Sequence, residues 1–165
     1  FRIDPEHFGV MGESAGGYLT AMAALANDPA FDVGDYTDYS SQVQAACPWY
    51  PPTDISGFPY NSPVEAAASP ESLMLGMNVM LQKEEALKAC PVSFVTKDAP
   101  PFMILHGIDD HTVPFGQGEV LHDKLEEAGC DVRLIAIAGA DHADKQFFQR
   151  ETWKWIADFF HEKLG

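Results

Sequence analysis

The sequence predicts an α/β protein with a mostly parallel, doubly wound sheet. Three observations predict this class. Short apolar runs alternate with longer segments of helical periodicity, a glycine cluster lies between the first strand and the first helix, and the 165 residues contain no repeat. The expected order is β-α-β, a proline-rich excursion, then β-α-β-α. This length is enough to bury a core, so we expect one domain over residues 1–165.

The first half of the chain supplies two strands and one helix. Residues 8–11 form a short apolar run that leads into glycines, which is typical of a buried strand. Residues 15–26 are rich in alanine and predict a helix, which an Asn-Asp-Pro sequence ends. Residues 43–49 predict the second strand, which a pair of prolines stops.

Residues 50–100 differ in composition and in hydrophobic pattern from the rest of the chain. Prolines recur, and the pattern predicts only short helical pieces, at 63–68, 71–75 and 83–90. A long excursion between two strands usually covers or lines a cleft. We therefore expect residues 50–100 to form a cap or cover over a site.

The second half predicts two more strands and two helices. Residues 102–105 are entirely apolar, which favours a central strand, and residues 132–137 predict the fourth strand. Residues 115–128 form an amphipathic helix that Gly129 would end. The last helix, residues 144–164, is expected to pack through Phe148, Trp155, Ile156 and Phe159.

Composition excludes several classes of function. The formal net charge of −15 would repel phosphate backbones and anionic lipid, so we expect no nucleic-acid partner. No apolar run approaches the roughly 18 residues of a membrane span. The three cysteines, Cys47, Cys90 and Cys130, are too few and too scattered for a disulfide framework, and we interpret them as mostly buried thiols.

The strongest motif is residues 12–16, Gly-Glu-Ser-Ala-Gly, which match the G-x-S-x-G nucleophile elbow. A serine on so tight a turn projects its hydroxyl above the sheet, and glycines two residues to either side let neighbouring backbone pass closely. The helix behind it directs its positive end towards a developing oxyanion. Here the motif follows an apolar strand and precedes a helix, which is the required context.

Two further loops follow the third and fourth strands, on the same face as the elbow. The first contains Asp109 and Asp110, either of which could hold an imidazole in one tautomer. The second contains His142, which could reach Ser14 as a general base. The chain order Ser, Asp, His is the order of the α/β-hydrolase fold.

Five stretches carry a resemblance to a known family. They are residues 3–5 leading into 9–17, residues 49–54, residues 69–76, residues 100–114 and residues 139–142. In this order they span nearly the whole chain. The sequence resembles the esterase/lipase branch of the α/β-hydrolases, close to bacterial acetyl-xylan and feruloyl esterase-like serine esterases, and matches the C-terminal part of such a domain.

The resemblance implies a role for each candidate residue. Ser14 would be the nucleophile, His142 the base, and the family pattern His-Gly-x-x-Asp-x-x-Val-Pro selects Asp110 rather than Asp109 as the triad acid. The amide of Ala15 would be one oxyanion donor. We also expect Glu13, Tyr50 and His111 at the substrate-binding cleft, and Asp141 to be solvated or to touch substrate.

A metal site is the competing interpretation of one loop. His106, Asp109, Asp110 and His111 are potential ligands, but they lack ligand periodicity and a triad explains Asp110 better. His106 closes a strand, where a hydrogen-bonded structural histidine is expected. We predict neither a metal nor a cofactor.

The sequence departs from the family upstream of the elbow. Family members have further strands there and a His-Gly-Gly loop that completes the oxyanion hole, whereas no His-Gly-Gly occurs in this chain. We expect the first strand to present an unpaired edge, covered by a missing N-terminal segment or by a second copy. A missing oxyanion donor typically costs about 10²–10³ in kcat.

These observations predict a serine carboxylic-ester hydrolase that acts on short-chain or carbohydrate-linked acyl esters through an acyl-enzyme. A peptidase or an acyltransferase could use the same triad. A third alternative is a non-catalytic, incomplete hydrolase fold that serves as a binding or assembly module. The sequence leaves the compartment and the oligomeric state open.

Overall fold

A computed structural model describes residues 3–165, so residues 1 and 2 of the predicted domain lie outside the described residues. The sheet has four parallel strands in sequence order, which confirms the predicted fold class. The strands are β1 (Gly9–Glu13), β2 (Ala45–Trp49), β3 (Phe102–Gly107) and β4 (Val132–Ile137). The helices are α1 (Ala15–Leu25), α2 (Pro63–Ala67), α3 (Pro70–Leu75), α4 (Lys83–Leu87), α5 (Gly116–Glu127) and α6 (Arg150–Leu164).

Helices cover both faces of the sheet because successive side chains of a strand point to opposite sides. On β3, Met103 and Leu105 join the core cluster that contains Ile156 and Phe159 of α6. The alternate β3 residues, Phe102 and Ile104, join the cluster that contains residues of α1 and α5. All six residues of β3 are buried, as expected for a central strand with both faces packed.

The final helical segment differs from the prediction. A short 3₁₀ turn covers Lys145–Phe148, and α6 begins only at Arg150. Phe148 is half-buried and contacts the core residue Trp49, with ring centroids 6.0 Å apart. Trp155 is 44% exposed, so the expectation that it packs inward is wrong. Successive residues of an α-helix are about 100° apart, so burial of Ile156 turns the neighbouring Trp155 away from the core.

Residues 50–100 are anchored to the sheet layers by polar contacts. The side chain of Gln117 at the start of α5 accepts hydrogen bonds from the backbone amides of Thr53 and Asp54 through Oε1, at 2.8 and 2.7 Å. It also donates one from Nε2 to the Asp54 carbonyl at 3.1 Å. On the other side, the Tyr18 hydroxyl of α1 donates to the Ala89 carbonyl at 2.9 Å. The excursion is therefore held against α1 and α5.

The carboxyl ends of the four parallel strands lie at one edge of the sheet, and the loops that leave them meet there. The edge strand β1 leads directly into the elbow, and the ends of β3 and β4 pair through Gly107 and Ile137. Across residues 3–165, the helices fall short of the length and apolar character that crossing a bilayer requires.

Candidate active site

Ser14 occupies the sharp turn between β1 and α1. Its backbone has φ 54° and ψ −117°, a conformation that side-chain-bearing residues seldom adopt. The Ser14 amide donates to the Trp49 carbonyl at 3.0 Å, which ties the elbow to the end of β2. A Cβ on Gly17 would lie 2.5 Å from that same carbonyl oxygen, so this glycine permits the close approach.

The two glycines of the motif have unequal steric roles. A Cβ on Gly12 would lie 2.5 Å from the carbonyl oxygen of Gly16, so the turn requires glycine at position 12. A Cβ on Gly16 would meet no described atom within 4 Å. The prediction that both positions require glycine for close backbone passage is therefore wrong for Gly16, because the space that a Cβ would occupy there is open.

Ser14, His142 and Asp110 are brought together by three separate loops. His142 Nε2 lies 2.9 Å from Ser14 Oγ, and His142 Nδ1 lies 2.8 Å from Asp110 Oδ2. The Asp110 side chain is fully buried, and 16% of the His142 side chain is exposed. An ionised carboxylate makes Nδ1 the donor to Asp110, which leaves the Nε2 lone pair to accept the Ser14 hydroxyl proton.

Asp110, rather than Asp109, reaches the imidazole. The second oxygen of Asp110 accepts the backbone amides of Thr112 and Val113 at 2.9 and 2.8 Å, so the carboxylate is fixed at both oxygens. Asp109 is exposed, and its backbone amide donates to the Ala140 carbonyl at 3.1 Å. The loop therefore turns one carboxylate inward and the other to solvent.

His106 lies buried behind Asp110. Its Nε2 is 2.9 Å from the Val113 carbonyl oxygen and 3.5 Å from Asp110 Oδ2. Burial lowers the pKa of His106, against the opposing effects of the Val113 bond and the Asp110 charge. A neutral imidazole that donates from Nε2 to Val113 fits these contacts, in agreement with a structural histidine.

Potential metal ligands do not converge at this loop. Among residues 3–165, His106, Asp109, Asp110 and His111 do not supply three ligand atoms within one another's reach. Ligand atoms of His122, Asp123 and Glu126 on α5 do lie within 4.8 Å of one another. Exposed acidic clusters of that kind are common without a metal, and this one carries no functional assignment.

Glu13 and Tyr50 contact each other, and Tyr50 is buried whereas Glu13 is exposed. The Tyr50 hydroxyl donates to Glu13 Oε2 at 2.5 Å, and the Tyr50 side chain is fully buried. Burial raises the pKa of Tyr50, and the neighbouring Glu13 carboxylate raises it further. The backbone of Tyr50 has a positive φ of 34°, and its ring contacts the imidazole of His142. The structure thus uses the Tyr50 ring and hydroxyl inside the protein, where the sequence suggested contact with substrate.

A cleft of about 470 Å³ opens beside Ser14 and Ala15. Residues between 52 and 71 form one wall, where the Phe58 and Tyr60 rings stack with centroids 5.9 Å apart. The Tyr60 hydroxyl donates to Glu71 at 2.7 Å, and burial followed by the neighbouring carboxylates raises the pKa of Tyr60 to about 12. Phe58, Tyr60 and Glu71 line this side of the cleft.

The exposed side chains of His111 and Asp141 contact each other beside the cleft. His111 lines the cleft, and its Nδ1 is 3.1 Å from Asp141 Oδ2. Asp141 Oδ1 accepts the backbone amides of His111 and His142, at 3.0 and 2.7 Å. These bonds lower the pKa of Asp141, since each favours the ionised carboxylate. Sequence reasoning missed this bridging position.

The parallel sheet with helices on both faces and a serine on its strand-to-helix turn define an α/β hydrolase. The chain belongs to the BD-FAE family, whose profile matches residues 1–125. Among its relatives is the probable carboxylic ester hydrolase LipM of Mycobacterium tuberculosis. It is 34% identical over 131 residues, which are 75% of this chain and 29% of LipM.

A second relative and a solved structure agree with this assignment. Esterase LipQ of the same organism is 33% identical over 149 residues, which are 85% of this chain and 33% of LipQ. A truncated carbohydrate esterase from gut microbiota has a TM-score of 0.87 at 28% identity, covering 98% of this chain and 61% of that one. The resemblance to esterases of the α/β-hydrolase fold is therefore confirmed, although the chain spans about a third of the length of the two mycobacterial relatives.

Proposed function

We propose that this chain carries the nucleophile, base and acid of a serine carboxylic-ester hydrolase that works through an acyl-enzyme. The observation that carries the proposal is the unbroken contact chain from Ser14 Oγ through His142 to Asp110, with steps of 2.9 and 2.8 Å. A hydroxyl is a weak nucleophile at neutral pH unless an adjacent base removes its proton, and this arrangement supplies that base. The esterase names of its relatives support the same reaction class.

The proposed acylation step follows from these contacts. His142 Nε2 takes the Ser14 proton as Oγ bonds to the ester carbonyl carbon, and the carbonyl oxygen becomes an oxyanion. Asp110 stabilises the imidazolium by accepting the Nδ1 proton in a hydrogen bond. Collapse of the intermediate breaks the bond to the alcohol oxygen, which receives the proton from Nε2. The acyl group then remains on Ser14.

Deacylation repeats the sequence with water as the nucleophile. His142 removes a proton from water, the hydroxide oxygen bonds to the acyl carbon, and the proton returns to Ser14 Oγ as the acid leaves. The Ala15 amide, at the first turn of α1, has no intrahelical acceptor and is the proposed oxyanion donor. These steps use protein groups and water alone.

The cleft supports uncharged ester substrates with a short-chain or carbohydrate-linked acyl group. The Phe58–Tyr60 pair offers an apolar ring surface, while Glu65 and Glu71 also line the cleft. Carboxylates disfavour an anionic substrate and can accept hydrogen bonds from hydroxyl groups. One solved relative is described as a carbohydrate esterase. Residues 50–100 act in this proposal as the cover that shapes the substrate side.

Turnover of p-nitrophenyl acetate by the complete protein tests the proposal. Ser14→Ala removes the attacking oxygen, and we expect loss of nearly all activity; Ser40→Ala, an exposed serine outside the cleft lining, is the matched control. Activity that survives Ser14→Ala would overturn the assignment. Parallel assays of ester hydrolysis, amide hydrolysis and acyl transfer separate an esterase from a peptidase or an acyltransferase.

A fluorophosphonate probe separates this function from a non-catalytic binding module, because labelling requires an activated hydroxyl. We expect adduct formation on Ser14 in the wild type and none in Ser14→Ala. No labelling of the complete protein would favour the binding module.

We further propose that another element pairs with the free edge of β1. In the described sheet β1 pairs with β2 alone, and Met11 on β1 is 40% exposed. An unpaired edge strand is a template for further pairing. A preceding segment of the same protein or a second copy would fit there. Hydrogen exchange of β1 amides in the complete protein should show protection, and fast exchange would contradict this.

A further inference from the structure

The loops after β3 and β4 are joined by two aspartate–histidine pairs that run in opposite directions. The β3 loop contributes Asp110 followed by His111, and the β4 loop contributes Asp141 followed by His142. Asp110 binds the imidazole of His142, and Asp141 binds the imidazole of His111, at 2.8 and 3.1 Å. Each loop therefore holds the histidine of the other.

The two pairs differ in what surrounds them. The Asp110 side chain is fully buried and its partner His142 touches Ser14. The Asp141 and His111 side chains are 54% and 81% exposed, and His111 lies at the rim of the cleft. An exposed contact between a carboxylate and a histidine contributes little to stability by itself. We therefore look for the role of the exposed Asp141–His111 pair, here called the outer pair, in the positions of the two loops rather than in the free energy of unfolding.

Asp141 does more than bind a ring, because its Oδ1 accepts the backbone amides of both His111 and His142. One carboxylate oxygen thus fixes the backbone of the residue after the triad acid and the backbone of the triad base. The backbones of the two loops also approach each other closely beside these contacts, since a Cβ on Gly107 would lie 2.3 Å from the Ala140 carbonyl oxygen. Relative movement of the two loops would break these contacts together.

We infer that Asp141 is a positioning residue that sets the distance between His142 and Asp110, with His111 as its outer support. The inference rests on the proposed function, since the geometry it protects is that of the proposed triad. It goes beyond that function by assigning a task to a residue that does not touch Ser14. A displacement of about 1 Å in such a constellation can cost about 100-fold in rate.

The central test compares three substitutions in the complete protein with p-nitrophenyl acetate. Asp141→Ala removes both oxygens, and we expect kcat to fall by about 10- to 100-fold with KM within about twofold of wild type. Asp141→Asn keeps an oxygen that accepts both amides, so it should restore most of kcat. Asp109→Asn is the matched control: it removes the charge of an exposed carboxylate in the β3 loop and should leave kcat unchanged.

Each alternative result overturns the inference. An unchanged kcat in Asp141→Ala means that the loops hold their positions without the carboxylate. A raised KM at unchanged kcat means that Asp141 contacts substrate. Equal losses in Asp141→Ala and Asp141→Asn mean that the charge, rather than the backbone contacts, matters. If Asp141→Ala does not fold, Asp141→Glu keeps the charge but shifts the oxygens, and wild-type kcat in that variant overturns the inference.

His111 variants test the outer support separately. His111→Asn keeps an N–H near the position of Nδ1, whereas His111→Leu removes it. We expect lower kcat in His111→Leu and near wild-type kcat in His111→Asn, and equal activity of the two overturns the supporting role. The Ser14→Ala control separates failure of the proposed function from failure of the positioning role. Activity in Ser14→Ala rejects the proposed function. An inactive Ser14→Ala together with a fully active Asp141→Ala rejects only the positioning role of Asp141.

Discussion

The imidazole of His142 rests on the ring of Tyr50, with centroids 4.6 Å apart and planes inclined by 63°. Tyr50 in turn packs edge-on against Phe147 at 4.6 Å and donates its hydroxyl to Glu13. Glu13 directly precedes Ser14 in the chain. Tyr50, which packs against His142, is thus hydrogen-bonded to Glu13, the residue before Ser14. The positions of His142 and Ser14 therefore both depend on contacts of Tyr50.

We predict that Tyr50→Phe and Tyr50→Ala separate the hydrogen bond from the ring packing. Tyr50→Phe leaves the ring in place but removes the donor to Glu13, and should cost about 1–3 kcal/mol of unfolding free energy with a small loss of kcat. Tyr50→Ala also removes the surface under His142 and should cost about 3–5 kcal/mol with a larger loss of kcat. Urea unfolding and p-nitrophenyl acetate kinetics measure both effects. Equal kcat in the two variants would contradict the support role.

The unequal glycines of the elbow give a second prediction. Gly12→Ala places a methyl group 2.5 Å from the Gly16 carbonyl oxygen, and we expect it to destabilise the protein by about 1–3 kcal/mol and to lower kcat. Gly16→Ala adds a methyl group in open space within α1 and should be neutral or stabilising by about 0.5–1 kcal/mol. Thermal unfolding and esterase assays of the pair provide the measurement. Strong destabilisation by Gly16→Ala would show that the site has a steric demand absent from the described contacts.

A third prediction concerns the two adjacent carboxylates. Asp110→Asn keeps an oxygen for the Thr112 and Val113 amides but presents an NH₂ donor to His142 Nδ1 in place of the second carboxylate oxygen. The imidazole then takes the other tautomer, so kcat should fall by about 10⁴-fold. Asp109→Asn changes an exposed side chain and should remain within about twofold of wild type. The matched pair, assayed at one pH with fluorophosphonate labelling as a second readout, decides between the two residues. A larger loss in Asp109→Asn would reverse the assignment.

A fourth prediction follows from His106. Burial lowers its pKa from the ordinary value of 6.5, against the opposing effects of the Val113 hydrogen bond and the Asp110 charge. As the pH falls, the unfolded chain therefore takes up a proton at His106 at a higher pH than the folded chain does. The stability that the neutral ring provides is complete above pH 6.5 and is lost as the pH falls below it, with a slope of up to about 1.4 kcal/mol per pH unit.

Urea unfolding of wild type and His106→Asn across this range isolates the effect. The asparagine keeps an N–H for the Val113 carbonyl but does not titrate, and the other histidines are common to both proteins. We expect the wild type to lose more unfolding free energy than His106→Asn between neutral pH and about pH 5. Parallel curves for the two proteins would mean that His106 takes up a proton while folded.

Local sequence was sufficient to predict most elements and their order. The apolar run of β3 and the alanine-rich α1 are recognisable because each depends on neighbours in the chain. The pattern predicts a longer last helix than the structure has, because residues 145–148 have helical composition but form a 3₁₀ turn. The burial of Trp155 was mispredicted because an aromatic residue satisfies the apolar pattern whichever way its helix turns.

What the sequence alone determined is the strand-to-helix serine turn, the order of serine, aspartate and histidine, and the placement of all three after strands of one parallel sheet. Tertiary structure alone decided which side chains surround and hold these three residues. The register of β3 against β4 brings Asp141 to His111, and the positive φ of Tyr50 turns its ring under His142 instead of into the cleft. The reason is physical: turns and periodicity are set within a few residues, whereas contacts between loops far apart in the chain are set by how neighbouring strands align.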